Sequence, residues 1–206
     1  MYIVFEGVVG TGKSTQIKKL HKYLQEKYPE KEVVLTREPG GTEVSETIRN
    51  VVQGKAFDEE MEPVCEAYLY ASSRAQSLRT VVKPVLDKGG VVVSDRSVFS
   101  SLSNQAYGRE LGFDKVYSIN KEAVGEFWPD IVIYLSLPID VGLGRVFDEG
   151  GDKFEKLGTD FYKKVEKGYK AMSQKSEFKD KWVSVDASGS EEEVFEKMIK
   201  ALEPLL

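Results

Sequence analysis

Eight residues near the N-terminus, Gly7-Val8-Val9-Gly10-Thr11-Gly12-Lys13-Ser14, lie between an apolar run, Tyr2 to Glu6, and a helical pattern in Ile17, Leu20, Leu24 and Tyr28. This is GxxxxGK[ST] in the strand, loop, helix setting that gives the motif its meaning. The glycines let successive backbone N–H groups turn inward at a helix N-terminus, Lys13 reaches the outer phosphates of a nucleoside triphosphate, and the Ser14 hydroxyl can ligate Mg²⁺. The loop defines a ligand and leaves the reaction open, because GTPase switches, transport ATPases and small-molecule kinases share it. A base-reading NKxD sequence, which a GTPase would carry, is absent.

A second set of groups suits anion recognition. The chain has 29 basic residues, of which only Arg37, Arg49, Arg74, Arg79, Arg96, Arg109 and Arg145 are arginine. The rigid guanidinium fork fits bidentate phosphate or base contacts better than a flexible ammonium does. Arg37-Glu38-Pro39-Gly40-Gly41-Thr42 follows one strand pattern and Asp95-Arg96 follows another. In a doubly wound sheet both places open on the ligand crevice. There a carboxylate such as Asp95 can hold a Mg²⁺ shell while the adjacent arginine holds a phosphoryl group.

Strand patterns at Tyr2 to Glu6, Glu32 to Thr36, Val91 to Ser94, Ile131 to Leu137 and Trp182 to Val185 must position these groups. Helical stripes lie between them: Met61, Val64, Cys65, Tyr68, Leu69, Ser72, Ala75, Leu78 and Val82 in one, Val194, Met198 and Leu202 in another. Runs such as Val91-Val92-Val93 point to a parallel sheet covered on both faces. With 206 residues, 41% apolar, one compact α/β domain is expected. The stretch from Phe147 to Thr159 reads as a loop inside it, and no repeat of 20 to 50 residues is visible.

Composition excludes much chemistry. One cysteine, Cys65, rules out a disulfide framework and a thiolate cluster, and one histidine, His21, rules out sites built on several imidazoles. Both are expected in structural places, Cys65 as a packed apolar residue and His21 on a helix surface. A net charge of −5 argues against coating a nucleic acid polymer or a polybasic membrane contact, so anionic ligands must be held by local charge. The N-terminal apolar run is short and lacks a basic lead, so it reads as a strand and not as a signal peptide. No segment approaches the roughly 20 apolar residues of a membrane span.

Together the stretches FEGVVGTGKST, LTREPGGTEVSETIR, LYASSRAQSL with VVKPVL, SDRSVFSSLSNQAYGRELG, PDIVIYLSLP and TDFYKKVEKGY make the chain resemble the thymidylate kinases over nearly its whole length. The resemblance implies a P-loop NTPase three-layer α/β fold, a five-stranded parallel sheet flanked by helices with a lid at about 148–158. It implies transfer of the γ-phosphoryl group of ATP to dTMP, giving dTDP and ADP for dTTP synthesis, with Mg²⁺, in a cytoplasmic homodimer paired through a long helix from Glu60 to Lys88. Alternatives are a nucleoside monophosphate kinase of broader specificity and a non-catalytic nucleotide-binding paralogue.

Carried over position by position, Gly7 to Ser14 and Thr15 would hold ATP, and Arg145 would lie against its adenine. Tyr70 would stack on the thymine and Arg74 would hydrogen-bond it, with Arg49, Ser100, Ser101, Asn104 and Gln105 completing the pocket. Arg96 would bind the monophosphate, and Asp95 and Glu38 would sit near the phosphates and metal. Three positions depart from the family's pattern. Val9 stands where an acid often meets the 3′-hydroxyl, and Asn104 stands where a Tyr crowds out a ribose 2′-hydroxyl. Lys153, in Asp152-Lys153-Phe154-Glu155, replaces the lid arginine; it keeps the charge for the transferring phosphoryl group and loses the fork.

Overall fold

Alternate side chains of the first strand, β1 (Tyr2–Glu6), enter two different cores. Tyr2 and Val4 pack with Val92 and Val132 on one face, and Ile3 and Phe5 pack with Val93 and Ile133 on the other. A period of two combined with burial on both sides requires helices above and below the sheet. In the computed structural model, which describes residues 1–147 and 157–206 (the side chains of 146 and 147 excepted), this is what surrounds β1.

The elements follow in the order α1 (Lys13–Lys27), β2 (Val33–Arg37), α2 (Glu43–Val52), α3 (Pro63–Ser77), α4 (Lys83–Asp87), β3 (Val91–Asp95), α5 (Val98–Ser103), α6 (Phe113–Val124), β4 (Ile131–Ser136), α7 (Ile139–Phe147), α8 (Gly158–Gln174), β5 (Trp182–Asp186) and α9 (Glu191–Leu202). All five strands are parallel, in the spatial order β2-β3-β1-β4-β5. The fold is therefore the expected three-layer α/β arrangement. β2 and β3 run on to Arg37 and Asp95, which pair with each other at the carboxyl end of the sheet, where Phe5 also pairs with Asp95. Backbone pairing is indifferent to the charge of the side chain, so both strands reach into the residues expected to follow them.

α1 and α9 cover one face through Ile17, Leu20, Leu24, Val194, Met198 and Leu202. On the other face α5, α6 and α8 pack around Phe99, Val116, Tyr169 and Met172. The long helical run expected from Glu60 to Lys88 is α3 and α4 joined by a π-helical turn, Leu78–Val82, in which Lys83 N–H bonds to the Leu78 carbonyl. Pro84 has no N–H to give and crowds the carbonyl one turn back, which favours a widened turn at this point.

The orientation of α3 departs from the expectation. Met61, Leu78 and Val82 are buried, but Cys65, Tyr68 and Ser72 are exposed, and the helix turns Glu66, Ala67, Ala71, Ser73, Arg74 and Ser77 inward. Cys65 is therefore a surface thiol and not a packed residue. Glu66 and Arg74 can face inward because partners on other elements meet them, and apolar spacing cannot reveal those partners. Lys153 and its neighbours lie outside the described residues; of the lid expected over 148–158, Leu157 and Gly158 are described, and Gly158 begins α8.

Candidate active site

The phosphate loop folds as its spacing predicts. Gly10 and Gly12 adopt φ of 72° and 78°, in the left-handed region that glycine enters at no steric cost. A Cβ on Gly10 would stand 2.0 Å from the Gly142 carbonyl oxygen, so α7 presses directly on the loop. Gly12 leads α1 without a side-chain cap, and the first turn carries no acid. α9 differs: its N-terminus is closed by the capping box of Ser190 and Glu193. The first-turn N–H groups of α1 thus remain available to a phosphate. Lys13 is 8% exposed and bonds the Val8 carbonyl at 2.8 Å, the Gly7 carbonyl at 3.1 Å and Thr11 Oγ1 at 3.3 Å. Burial and, after it, the charge of Arg96 lower its pKa to about 7 against the opposing pull of Asp95 and Glu6.

Arg96 follows β3 with φ 71°, uncommon for a residue with a side chain. Its N–H bonds the Phe5 carbonyl at 2.9 Å, and Ser94 Oγ donates to its carbonyl at 2.8 Å. This bent backbone brings Nη1 within 3.4 Å of the Gly7 carbonyl and 3.2 Å of Ser100 Oγ, beside the phosphate loop. Burial opposes its charge, but Tyr169, Asp95 and Glu6 outweigh it and hold its pKa above the usual guanidinium value. The neighbouring Asp95 has a buried Oδ1 without a hydrogen-bond partner. A buried carboxylate oxygen left in this way suits a cation.

A cleft of about 700 Å³ runs from the loop residues Gly7, Val8 and Val9 past Arg96, Ser97, Ser100, Ser101, Asn104 and Gln105 to Arg49, Tyr70 and Arg74. Pro39, Glu38 and Gln53 close one side, and Tyr162 and Val165 of α8 close another. Several carried-over residues are brought together here with their polar groups engaged by the chain itself. Arg74, 2% exposed, gives Nε to Glu38 at 2.6 Å, Nη2 to the Ser97 carbonyl at 3.0 Å and to Ser101 Oγ at 3.2 Å, and Nη1 to Asn120. Glu38 also accepts from the Tyr2 hydroxyl at 3.2 Å on its other oxygen, so one oxygen holds Arg74 and the second is tied to Tyr2. Arg49 bonds the Pro39 carbonyl at 2.9 Å, and Asn104 bonds the Ser100 carbonyl at 2.7 Å. Burial, then the nearby Arg37, lowers the Arg49 pKa.

A separate cavity on the far side of the phosphate loop is lined by Thr11, Gly12, Thr15, Arg145, Ala187 and Ser190 among others. Arg145 reaches the Gly10 carbonyl at 3.2 Å. Ser14 is exposed at the start of α1.

Sequence reading did not single out Glu6. This fully buried carboxylate accepts from Ser97 Oγ at 2.7 Å, Ser100 N at 3.2 Å, Ser100 Oγ at 2.6 Å and the Tyr169 hydroxyl at 2.8 Å. Burial raises its pKa, while the Ser100 hydrogen bond, Arg96, Ser97 and Tyr169 act in the other direction. The one available signal was an acid ending an otherwise apolar strand immediately before the loop. Tyr162 and Val165 lie in the TDFYKKVEKGY stretch without having been singled out, and Gln53 lies in none of the matching stretches.

A triphosphate-type loop and a second, cationic cleft sharing the wall Gly7 to Val9 define a P-loop phosphotransferase of small nucleotides. The thymidylate kinase family model matches residues 5–198. Thymidylate kinase of Caldicellulosiruptor saccharolyticus is 41% identical over 206 residues, covering 100% of this chain and 97% of that protein. That of Fervidobacterium nodosum is 36% identical over 207 residues, covering 100% of both. The crystal structure of thymidylate kinase from Ehrlichia chaffeensis superposes with a TM-score of 0.78 at 27% identity, covering 98% of each chain. The chain belongs to the thymidylate kinase family, an enzyme family of nucleoside monophosphate kinases. Among the described residues no helix is long and apolar enough to cross a membrane.

Proposed function

We propose that the chain transfers the γ-phosphoryl group of ATP to dTMP, giving dTDP and ADP, in the cytoplasm. The observation that carries this reading is the shared wall: loop residues Gly7 to Val9 line the same cleft as Arg96, Tyr70 and Arg74. A donor phosphate on the loop and an acceptor in the cleft would therefore meet end to end. Phosphoryl transfer needs alignment and compensating charge more than covalent help. In this reading Gly7 to Thr15 hold the donor phosphates and Arg145 holds the adenine side. Arg96 aims the acceptor phosphate, Tyr70 stacks on the base, and Arg74, Ser101 and Gln105 meet its edge. Ser14 and the partnerless Oδ1 of Asp95 would hold Mg²⁺, which when bound draws charge from the phosphate oxygens. Glu38 acts by holding Arg74 rather than by touching phosphate or metal. Lys153 remains the candidate for transition-state charge in the lid.

A coupled assay of ADP release, run with and without acceptor, tests the reaction. Release should depend on dTMP, whereas ADP formation indifferent to dTMP would fit a switch or an ATPase and sink the reading. The same assay over dUMP, dGMP, UMP and a 3′-azido analogue tests broader acceptance, which Val9 and Asn104 favour because both line the cleft. Val9→Glu should sharpen rejection of the 3′-azido analogue; an unchanged kcat/KM ratio would remove Val9 from the specificity argument.

The outward face of α3 also supports the homodimer. Val64 and the exposed Tyr68 lie beside Ser118 and Ile119 of α6 in one surface depression. Apolar surface of this kind is commonly covered by a partner. Sedimentation at micromolar concentration should give twice the chain mass, and a monomer mass throughout would exclude this pairing.

A further inference from the structure

Behind the base end of the cleft lies a carboxylate that the transfer itself does not use. Glu66, on the inward face of α3, is fully buried. It accepts from Gln105 Nε2 at 3.1 Å and from Arg109 Nε and Nη2 at 3.3 and 3.0 Å. An ionised carboxylate can only accept hydrogen bonds, so the Gln105 amide must turn its NH₂ group toward Glu66. Its Oε1 is then the free end of the amide, and this oxygen is buried and has no partner within the chain. Gln105 lines the cleft. A buried amide oxygen without a partner is destabilising, and a ligand N–H would relieve it.

We propose that Glu66 is a positioning residue for acceptor choice: by fixing which way the Gln105 amide points, it makes the cleft offer an acceptor to the N3–H of a thymine or uracil. Cytosine carries a lone pair at N3, so the same oxygen opposes it. The discrimination arises from mispairing a buried polar group and needs no steric exclusion. Arg109 completes the device. Its two-point contact holds the carboxylate in place, and its guanidinium lies 5.8 Å from the centre of the Phe161 ring. This inference rests on the dTMP kinase reading and adds to it the group that sets the polarity of base recognition.

The test compares kcat/KM for dTMP and dCMP in the wild type and in Glu66→Gln. The amide at 66 can donate as well as accept, so the Gln105 amide is no longer held one way. The dTMP-to-dCMP ratio should fall at least tenfold, through KM, with the KM for ATP unchanged. In a Gln105→Ala background the same substitution should leave the ratio unmoved, because Glu66 then has nothing to orient. A ratio within twofold of the wild type, or an equal fall without Gln105, overturns the inference. If Glu66→Gln does not fold, Arg109→Lys replaces it: a several-fold fall in the ratio supports the inference and an unmoved ratio overturns it. Absence of dTMP turnover by the wild type is a different result, and it overturns the function reading on which this inference stands.

Discussion

Arg96→Ala lowers kcat/KM for dTMP by about 10³-fold, the usual scale for removing one preorganised donor to a developing anion, and changes the KM for ATP only a few-fold. The size follows from how the side chain is held. Its backbone sits at φ 71°, secured through the Phe5 carbonyl and Ser94 Oγ. Such a conformation costs an L-residue roughly 1–2 kcal/mol. The return is a guanidinium fixed between Gly7 and Ser100 with Glu6 and Asp95 nearby, so little ordering remains when the acceptor binds. Arg96→Lys should recover only part of the loss, because an ammonium lacks the planar fork. Arg96→Gly separates site from strain: it should be as inactive as Arg96→Ala but melt at a higher temperature, since glycine takes this φ freely. Steady-state kinetics and thermal unfolding of the three variants check this, and an Arg96→Ala enzyme with wild-type dTMP kinetics would remove the residue from the mechanism.

Lys13→Met abolishes measurable transfer, with a loss on the order of 10³-fold or more by the same electrostatic reasoning, and it also removes a proton uptake that accompanies ATP binding. The sign follows from the pKa of about 7 that burial imposes on Lys13. Below pH 7 the group is charged whether the chain is folded or not. Between pH 7 and 10.5 the unfolded chain keeps the proton that the folded chain has lost, so this group's contribution to stability rises with pH across that window. Triphosphate favours the charged form and raises the pKa again. At pH 8, therefore, ATP binding should draw close to one proton from the buffer, and its affinity should decline as pH rises above 7. Calorimetry in two buffers of different ionisation enthalpy measures the uptake directly. Equal apparent enthalpies in the two buffers at pH 8 would show that Lys13 is already charged in the free enzyme.

Glu6 links the two predictions. It contributes opposite charge to both Lys13 and Arg96, and it ties Ser97 and Ser100 of the α5 end to Tyr169 of α8. The cations of the donor and acceptor sides thus share Glu6, at the end of β1, alongside Asp95 as opposing charge. Truncating either cation leaves Glu6 less compensated, so the Lys13 and Arg96 substitutions should not combine additively.

Local spacing was enough to read the phosphate loop, the five strands and the buried stripes of α1 and α9. Loop glycines, a lysine at a helix start and side chains repeating every two or 3.6 residues act within a few residues of one another, and a linear chain displays such relations directly. The same reasoning misjudged α3. Its apolar residues Val64, Cys65 and Tyr68 suggested an inward stripe, yet the helix buries Glu66 and Arg74 because Gln105, Arg109, Asn120, Glu38 and Ser97 supply their hydrogen bonds. Those partners stand tens of residues away, as do the Ser97, Ser100 and Tyr169 that meet Glu6. Whether a polar side chain belongs to a core or to the surface depends on who answers its hydrogen bonds, and in this chain the parallel crossovers, not the neighbouring residues, bring the answer.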